Sequence, residues 1–400
     1  MKKNLLFLIT GVLLICLTIQ VFANNGIEIN GVLNSRFDLE FSSTGLNPYI
    51  NGILELSITD EIASDRFAKL EAELSTKKEQ IFRLKEAFMD IYFESTDLRI
   101  GQQRIAWGKA DGINPTDNFN PVDYTRPFAE DNRVEIPALR LKHYREDWVF
   151  DVVWTPFFIP AKFPESGSRW LSNSGQMLPL PSGYALNDIE VKPIIEPEFN
   201  LLNSEYGIRI SRWSGTIDAS LSYFHGWQKE PTPHVVMIPV STTLMDIIIE
   251  PAYHAIDVIG GDFSKDFVDY VVRGEAAYIM PEEEHVRNPY LSYVIGFDTY
   301  ISDKSYINLQ LFGEKEGEKE NKLGLTVAYQ YDLSDYSQME INGVYHFGDN
   351  DFLINPKYSR EISDDFSLSV GAYLFFGKEG TELGQLSDKD FMFIELKKTF

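Results

Sequence analysis

Residues 290–301 read YLSYVIGFDTYI. In an extended chain successive side chains point to opposite faces. Leu291, Tyr293, Ile295, Phe297 and Ile301 therefore share one face, and Ser292 and Asp298 share the other. The short polar turn Ser302-Asp303-Lys304 follows, and a second segment of similar length begins, KSYINLQLFGE at 304–314. The same alternation runs outward in both directions. In 148–157 Trp148, Phe150, Val152 and Trp154 oppose Asp151 and Thr155. In 322–332 Leu323, Leu325, Val327, Tyr329 and Tyr331 oppose Thr326 and Gln330, and near the end Met392, Ile394, Leu396 and Phe400 align. A soluble sheet of this size would need helices or a second sheet over its apolar face. A large secreted sandwich or propeller is the soluble alternative; the reading favoured is a sheet closed on itself in lipid, where every backbone polar group must find a partner within the protein. Past the N-terminal region no segment is apolar enough for a spanning helix. The fold expected is therefore all-β, a closed antiparallel transmembrane β-barrel.

Eighteen strands are read, each about the length a tilted strand needs to cross a bilayer. They cover 27–41, 48–59, 65–76, 82–94, 97–107, 137–145, 148–157, 204–213 and 216–227. The others cover 254–264, 269–279, 290–301, 304–314, 322–332, 336–347, 351–361, 365–376 and 389–400. Short Asp- and Ser-rich turns such as Ser95-Thr96-Asp97, Ser334–Tyr336 and Ser363–Asp365 alternate with longer connections at 108–136, 158–203, 228–253, 280–289, 315–321 and 377–388. Only the connection at 348–350 is short where a long one is due. Short periplasmic turns and long external loops are the habit of bacterial barrels, and both termini then fall on the periplasmic side, which requires an even strand number. Val235–Ile256 is the ambiguous stretch. It can hide or lose a strand pair, so sixteen strands is the alternative count. Aromatics gather near strand ends (Tyr49, Tyr92, Tyr223, Tyr290, Tyr300, Tyr331, Phe376), as an interfacial girdle requires.

Lys2 and Lys3, the apolar run Leu5–Ile19 and Val21-Phe22-Ala23 read as a secretory signal peptide over 1–23, cleaved after Ala23, with the barrel over 24–400. Cys16 is the one cysteine, and its predecessor Ile15 is not the small residue a lipoprotein site has. The mature chain then has no thiol chemistry. Losing the two lysines takes the formal charge from −24 to −26. An acidic chain argues against nucleic acid as partner. It suits a Gram-negative outer surface of lipid and lipopolysaccharide. Phe400 closes the last strand on an aromatic, which points to the barrel-assembly machinery as a further partner.

Gly101-Gln-Gln-Arg-Ile-Ala-Trp-Gly108 is followed by Ile113-Asn-Pro115 and Asn120-Pro-Val-Asp123. This resembles a porin-like outer-membrane family of unassigned function, similar in architecture to alginate-export barrels. That resemblance implies a barrel that passes or binds some solute.

By strand phase, the first four strands turn Arg36, Asp38, Glu40, Glu55, Lys69, Glu71, Glu73, Glu86 and Asp90 inward, and the next four turn Gln102, Arg104, Arg140, Lys142 and Arg209 inward. One arc of wall is mostly acidic and its neighbour basic, an arrangement that sets ion selectivity in pores. The connection 108–136 carries Lys109, Asp111, Asp117, Asp123, Arg126, Glu130, Asp131 and Arg133, stiffened by Asn-Pro turns. It either folds into the lumen as a filter or lies over the rim as a lid. The expected constriction set is Asp38, Glu71, Glu86, Asp90, Gln102, Arg104, Lys109, Asp111, Asp123, Arg126, Arg140, Lys142 and Arg209. No catalytic motif surrounds His143, His225, His234, His254, His285 or His346, and neither cofactor nor metal is expected, although Glu282–His285 offers weak cation ligands. The function expected is passive diffusion of small hydrophilic or charged solutes. The alternatives are a rim enzyme, built around His225, and a plugged structural or adhesive barrel.

Overall fold

A computed structural model describes residues 27–42, 45–77, 80–128, 132–165, 168–170, 180–283 and 287–400. The signal-peptide reading of 1–23 and the residues Glu130, Asp131, Glu284 and His285 lie outside them.

Strands β1 (Ile27–Ser42), β2 (Gly45–Ala63), β3 (Arg66–Ser75), β4 (Phe82–Tyr92), β5 (Thr96–Gln103), β6 (Ile136–Arg145) and β7 (Trp148–Thr155) form the first part of the wall. After β8 (Ala185–Val191) the wall continues with β9 (Glu205–Trp213) and β10 (Asp218–Trp227). β11 (Thr232–Pro239) and β12 (Leu244–Ala252) precede β13 (Ala255–Asp266), β14 (Tyr270–Pro281), β15 (Tyr290–Ser302), β16 (Ser305–Glu316) and β17 (Lys322–Ser334). β18 (Ser337–His346), β19 (Asp351–Ser363), β20 (Phe366–Phe376) and β21 (Asp390–Thr399) complete the chain. Eighteen of these form one antiparallel sheet. It closes where β1 pairs with β21, from Val32 opposite Thr399 to Phe41 opposite Asp390. Gly31 N–H donates to the Phe400 carbonyl at 2.8 Å and Phe400 N–H returns to Gly31 at 3.0 Å, so the seam is hydrogen-bonded to its end.

Burial is inverted relative to a soluble protein. Outward positions such as Leu221, Ile259, Ile295 and Ile394 are exposed, while inward Asp262, Glu275, Asp298 and Gln310 are buried. That is the arrangement a lipid-facing wall around a polar interior demands. The turns follow local chemistry. Serines at strand ends bond across the hairpin, Ser302 to Ser305 at 2.8 Å and Ser334 to Ser337 at 2.7 Å, and take the next backbone N–H of Lys304 and Tyr336. The short connection at 348–350 is made by Asn350 at φ 52, with Tyr345 Oη donating to its side chain.

Two departures from the sequence reading bear on the site. Val235–Ile256 does contain a strand pair, but β11 and β12 leave the barrel. With β8, which runs parallel to β12, they make a separate three-stranded sheet. The barrel keeps eighteen strands, and sixteen is excluded. The fifth strand stops at Gln103, not 107, because Arg104 to Gly108 turn inward. Their alternation persists only because Ile105 and Trp107 pack into an interior core.

Candidate functional site

The described residues of the connection, 104–128 and 132–135, fold into the lumen. Ile105 and Trp107 are buried against the wall, with Trp107 Nε1 donating to Asp151 Oδ2 of β7 at 3.2 Å. The segment descends until Lys109 Nζ is 3.7 Å from Asp218, at the periplasmic end of β10. There it turns against β14 and β16: Asp111 accepts from Arg273 at 3.2 Å and Asn308 at 3.0 Å, and Gln310 Nε2 donates to its carbonyl at 2.9 Å. One wall acid latches the turn. Glu275 accepts the backbone N–H of Lys109, that of Ala110 at 2.6 Å and the Thr116 hydroxyl at 3.0 Å. Rising again, Phe119 meets Trp107 edge-on at 5.1 Å and Phe224 of β10 at 4.8 Å. The segment then crosses the outer part of the barrel, where Arg126 holds Glu73 at 2.8 Å and Phe128 lies 4.5 Å from Tyr373 of β20.

The residues that carry the family resemblance build this insertion. Asn120 is fully buried; its Oδ1 accepts from Ile105 N–H at 2.7 Å and its Nδ2 donates to Val134 O at 2.7 Å, so it ties the descending and returning limbs together. Gln103, not Gln102, is sealed inside, and donates to Ala138 O at 2.9 Å. Asp123 caps its own turn by accepting the Thr125 hydroxyl at 2.5 Å. Gly108 has φ +97, and a Cβ there would strike the Glu275 carboxylate. Gly101, at φ +132, has the Ala87 carbonyl where a Cβ would go. Gly101→Ala is therefore expected to cost about 1–3 kcal/mol or more. Urea titration of the refolded barrel checks this, and an unchanged midpoint would contradict it.

The insertion divides the lumen. On its side Ile136, Ala138, Val153, Phe224, Ile256 and Val258 close over Trp107 and Phe119 as an apolar core. On the other side a cavity of about 2010 Å³ runs between β1–β4 and β16–β21, and reaches from Tyr49 and Trp170 at the outer mouth to Lys304 and Arg360 at the periplasmic turns. Part of connection 158–203 also borders the mouth, where Arg169 pairs with Asp38 of β1. That connection meets the insertion at Val122–Tyr124: Lys162 N–H donates to Val122 O and Tyr124 N–H to Lys162 O. Burial lowers the Lys162 ammonium from its usual range, with the Asp123 carboxylate opposing.

The expected constriction residues are distributed as follows. Arg36 bonds Asp38 at 2.7 Å and Glu395 at 3.4 Å. Lys69 bridges Glu71 at 2.6 Å and Glu86 at 2.8 Å, and Arg99 holds Asp90 at 2.7 Å. Arg140 holds Asp151 at 2.5 Å, and Arg209 holds Asp262 at 2.8 Å. Lys142 stands opposite Asp151 in register. Gln102 opposes Ala87 and donates to Leu84 O at 2.7 Å. Arg104 N–H lies 3.4 Å from Glu86. The acidic and basic arcs are therefore each neutralised at short range, by Lys69, Lys85, Arg99 and Arg126 on one side and by Asp151 and Asp262 on the other. An uncompensated transverse field between bare arcs is not what the wall presents. Arg83, paired with Glu135 at 2.8 Å, and Glu275 are the functional side chains that strand phase did not single out.

His225 sits at the outer end of β10, its Nδ1 2.9 Å from Asp257 Oδ1, to which Tyr223 Oη also donates at 2.6 Å. His225, Asp257 and Glu282 offer ligand atoms within 4.8 Å of one another. Phe224 and Val258 point into the core, so this group lies on the opposite, outward phase from the lumen.

No protein-family model and no curated protein matches the chain. Solved structures do. OccAB4 of Acinetobacter baumannii is similar over 94% of this chain and 99% of its own, with a TM-score of 0.55 and 10% identity. An anion-selective porin from Comamonas acidovorans has a TM-score of 0.46 at 11% identity, covering 94% of this chain and 99% of that one. OmpT, an outer-membrane protein of Vibrio cholerae in trimer form, has 0.47 at 8%, covering 94% and 100%. At such identity the likeness is one of fold.

Proposed function

We propose that the protein is a passive outer-membrane channel in which the inserted segment 104–135 sets the bore. The observation that carries this is the cavity beside the insertion, whose lining residues extend from the outer mouth to the periplasmic turns. Apolar fill on one side and a wet path on the other is an economical way to narrow a wide barrel without closing it. Residues 1–23 direct export and are cleaved after Ala23, the acidic exterior meets lipopolysaccharide, and the strand ending at Phe400 addresses the assembly machinery. The motif from Gly101 to Asp123 is the basis for grouping the chain with the porin-like family of unassigned function, since its residues anchor the insertion.

The test is current through the purified protein in a planar bilayer under a salt gradient. Acidic and basic side chains line the described cavity in equal numbers, so weak selectivity is expected. The reversal potential in KCl should lie far below the ~59 mV per tenfold gradient that perfect selection of one ion gives. A value near that limit would overturn the balanced-wall account. No current from folded, inserted protein would favour a plugged barrel. The second reading, a rim enzyme, has the His225–Asp257 pair in its favour. Hydrolysis that disappears in His225→Ala while conductance persists would support it.

A further inference from the structure

We propose that the open half of the lumen binds an uncharged saccharide, seated on an aromatic shelf just inside the outer mouth. This rests on the channel reading and names the class of solute. The first argument is charge. The chain carries −24 overall, yet the described cavity lining balances acids against bases. The cations at the mouth are also already engaged: Arg36 with Asp38 at 2.7 Å, Arg126 with Glu73 at 2.8 Å, and Arg169 with Asp38. A solute carrying charge of either sign finds these counter-charges already paired, and in a wet lumen it gains little from them. A neutral one forgoes nothing.

The second argument is the shelf. Tyr373 and Phe391 stack at 4.9 Å with planes 16° apart, Phe128 packs 4.5 Å from Tyr373, and Trp170 packs 5.1 Å from Phe128. The guanidinium of Arg169 lies 4.2 Å from the Trp170 ring centre and 4.4 Å from that of Tyr49. Tyr373, Trp170 and Tyr49 all border the cavity. A pyranose has one face of C–H groups, which suits the electron-rich face of a ring, and a belt of hydroxyls at its edge. Around this shelf the belt meets guanidinium donors and carboxylate acceptors that their own pairing holds in place, so little ordering remains to be done on binding.

The third argument is the wall beside the shelf, from β17 to β20. Gln330, Gln338, Asn342 and Asn355 face the cavity together with Ser359 and Ser369. A side-chain amide both donates and accepts, and so does a hydroxyl. Such a wall replaces the hydration of a sugar hydroxyl at every step of the passage without favouring an ion.

The experiment uses the full barrel in a planar bilayer and reads blockade of the ion current. Maltohexaose is the probe, with a hexauronate, benzoate and a polyethylene glycol of matched size as comparators. Maltohexaose should block at the lowest concentration. Tyr373→Ala and Trp170→Ala should each raise its half-blocking concentration about tenfold or more, while Trp170→Phe, which keeps a ring, stays close to the parent. Unchanged KCl conductance in each variant shows that the barrel is intact. Blockade no stronger than by the glycol, or stronger by hexauronate or benzoate, overturns the proposal and leaves the channel reading standing. If inserted protein carries no current, the channel reading fails on its own. Tryptophan fluorescence titrated with maltohexaose in micelles then decides the site: saturation that Trp170→Phe alters supports it, and no response overturns it.

Discussion

Replacing residues 109–118 by two glycines is expected to raise the single-channel conductance about twofold or more, because the segment removed is the part of the chain that occupies the lumen. The geometry permits the deletion. The Trp107 and Phe119 rings flank it and are in contact at 5.1 Å, so a short link joins the two limbs without disturbing the apolar core. What leaves is the turn that spans from Asp218 to Gln310. What remains is a set of wall groups, Glu275, Arg273 and Asp298, which the added space lets water solvate. Arg273 keeps Asp298 at 2.6 Å, while Glu275 loses the N–H groups of Lys109 and Ala110 and the Thr116 hydroxyl and is solvated in their place. The variant should also admit larger solutes in liposome swelling. Equal conductance and equal size cut-off in parent and variant would mean that the insertion does not set the bore.

Glu135→Ala is expected to destabilise the barrel by about 3–5 kcal/mol. The Arg83 and Glu135 side chains are 4% and 3% exposed. The contact is forked, with Arg83 Nη2 2.9 and 2.8 Å from the two carboxylate oxygens and 2.6 Å from the Arg133 carbonyl. Removing the acid leaves the buried guanidinium with the Arg133 carbonyl but without its counter-charge, and loosens the hold of β4 on the returning limb. Denaturant titration of the barrel folded in micelles measures the loss. Arg83→Met combined with Glu135→Leu should recover much of it, since the cost lies in the unpaired charge and not in the absence of the pair. A loss below about 1 kcal/mol, the range of an exposed ion pair, would show that water reaches the site freely.

The barrel was legible because a lipid-facing wall writes its phase into every strand. Trp148, Phe150 and Val152 against Asp151 is a pattern that survives without any partner strand, and all eighteen wall segments are found where it runs. The end of β5 was hidden by the same rule. Ile105 and Trp107 keep a two-residue alternation after the strand has stopped, now because they point into an interior core. A trace of the insertion was nevertheless present in the wall. Phe224, Ile256, Val258, Ala277 and Ile279 make the inward phase of β10, β13 and β14 apolar as well. A wet lumen leaves no reason for that, and something apolar must cover it. The ion pairing was not legible. Arg99 and Asp90 are direct cross-strand neighbours, but Arg209 reaches Asp262 across an intervening strand. Arg126 reaches Glu73 from a connection whose path the sequence leaves open. For that reason the two arcs looked bare in sequence and are balanced in the fold. Glu275 shows the same limit: its role depends on backbone N–H groups from residues far away in the chain, which its own strand does not reveal.

The account stands on an insertion that lies inside the lumen and leaves a path beside it. Asp111→Cys and Gln310→Cys place thiols on the turn and on the wall it touches, where the native contacts are 2.9 and 3.2 Å. The measurement is the single-channel conductance of this variant after closure with a short bis-maleimide. The prediction is efficient intramolecular cross-linking with a steady open current close to that of the parent. Failure to cross-link in folded protein, or a cross-linked barrel that is silent, would contradict it.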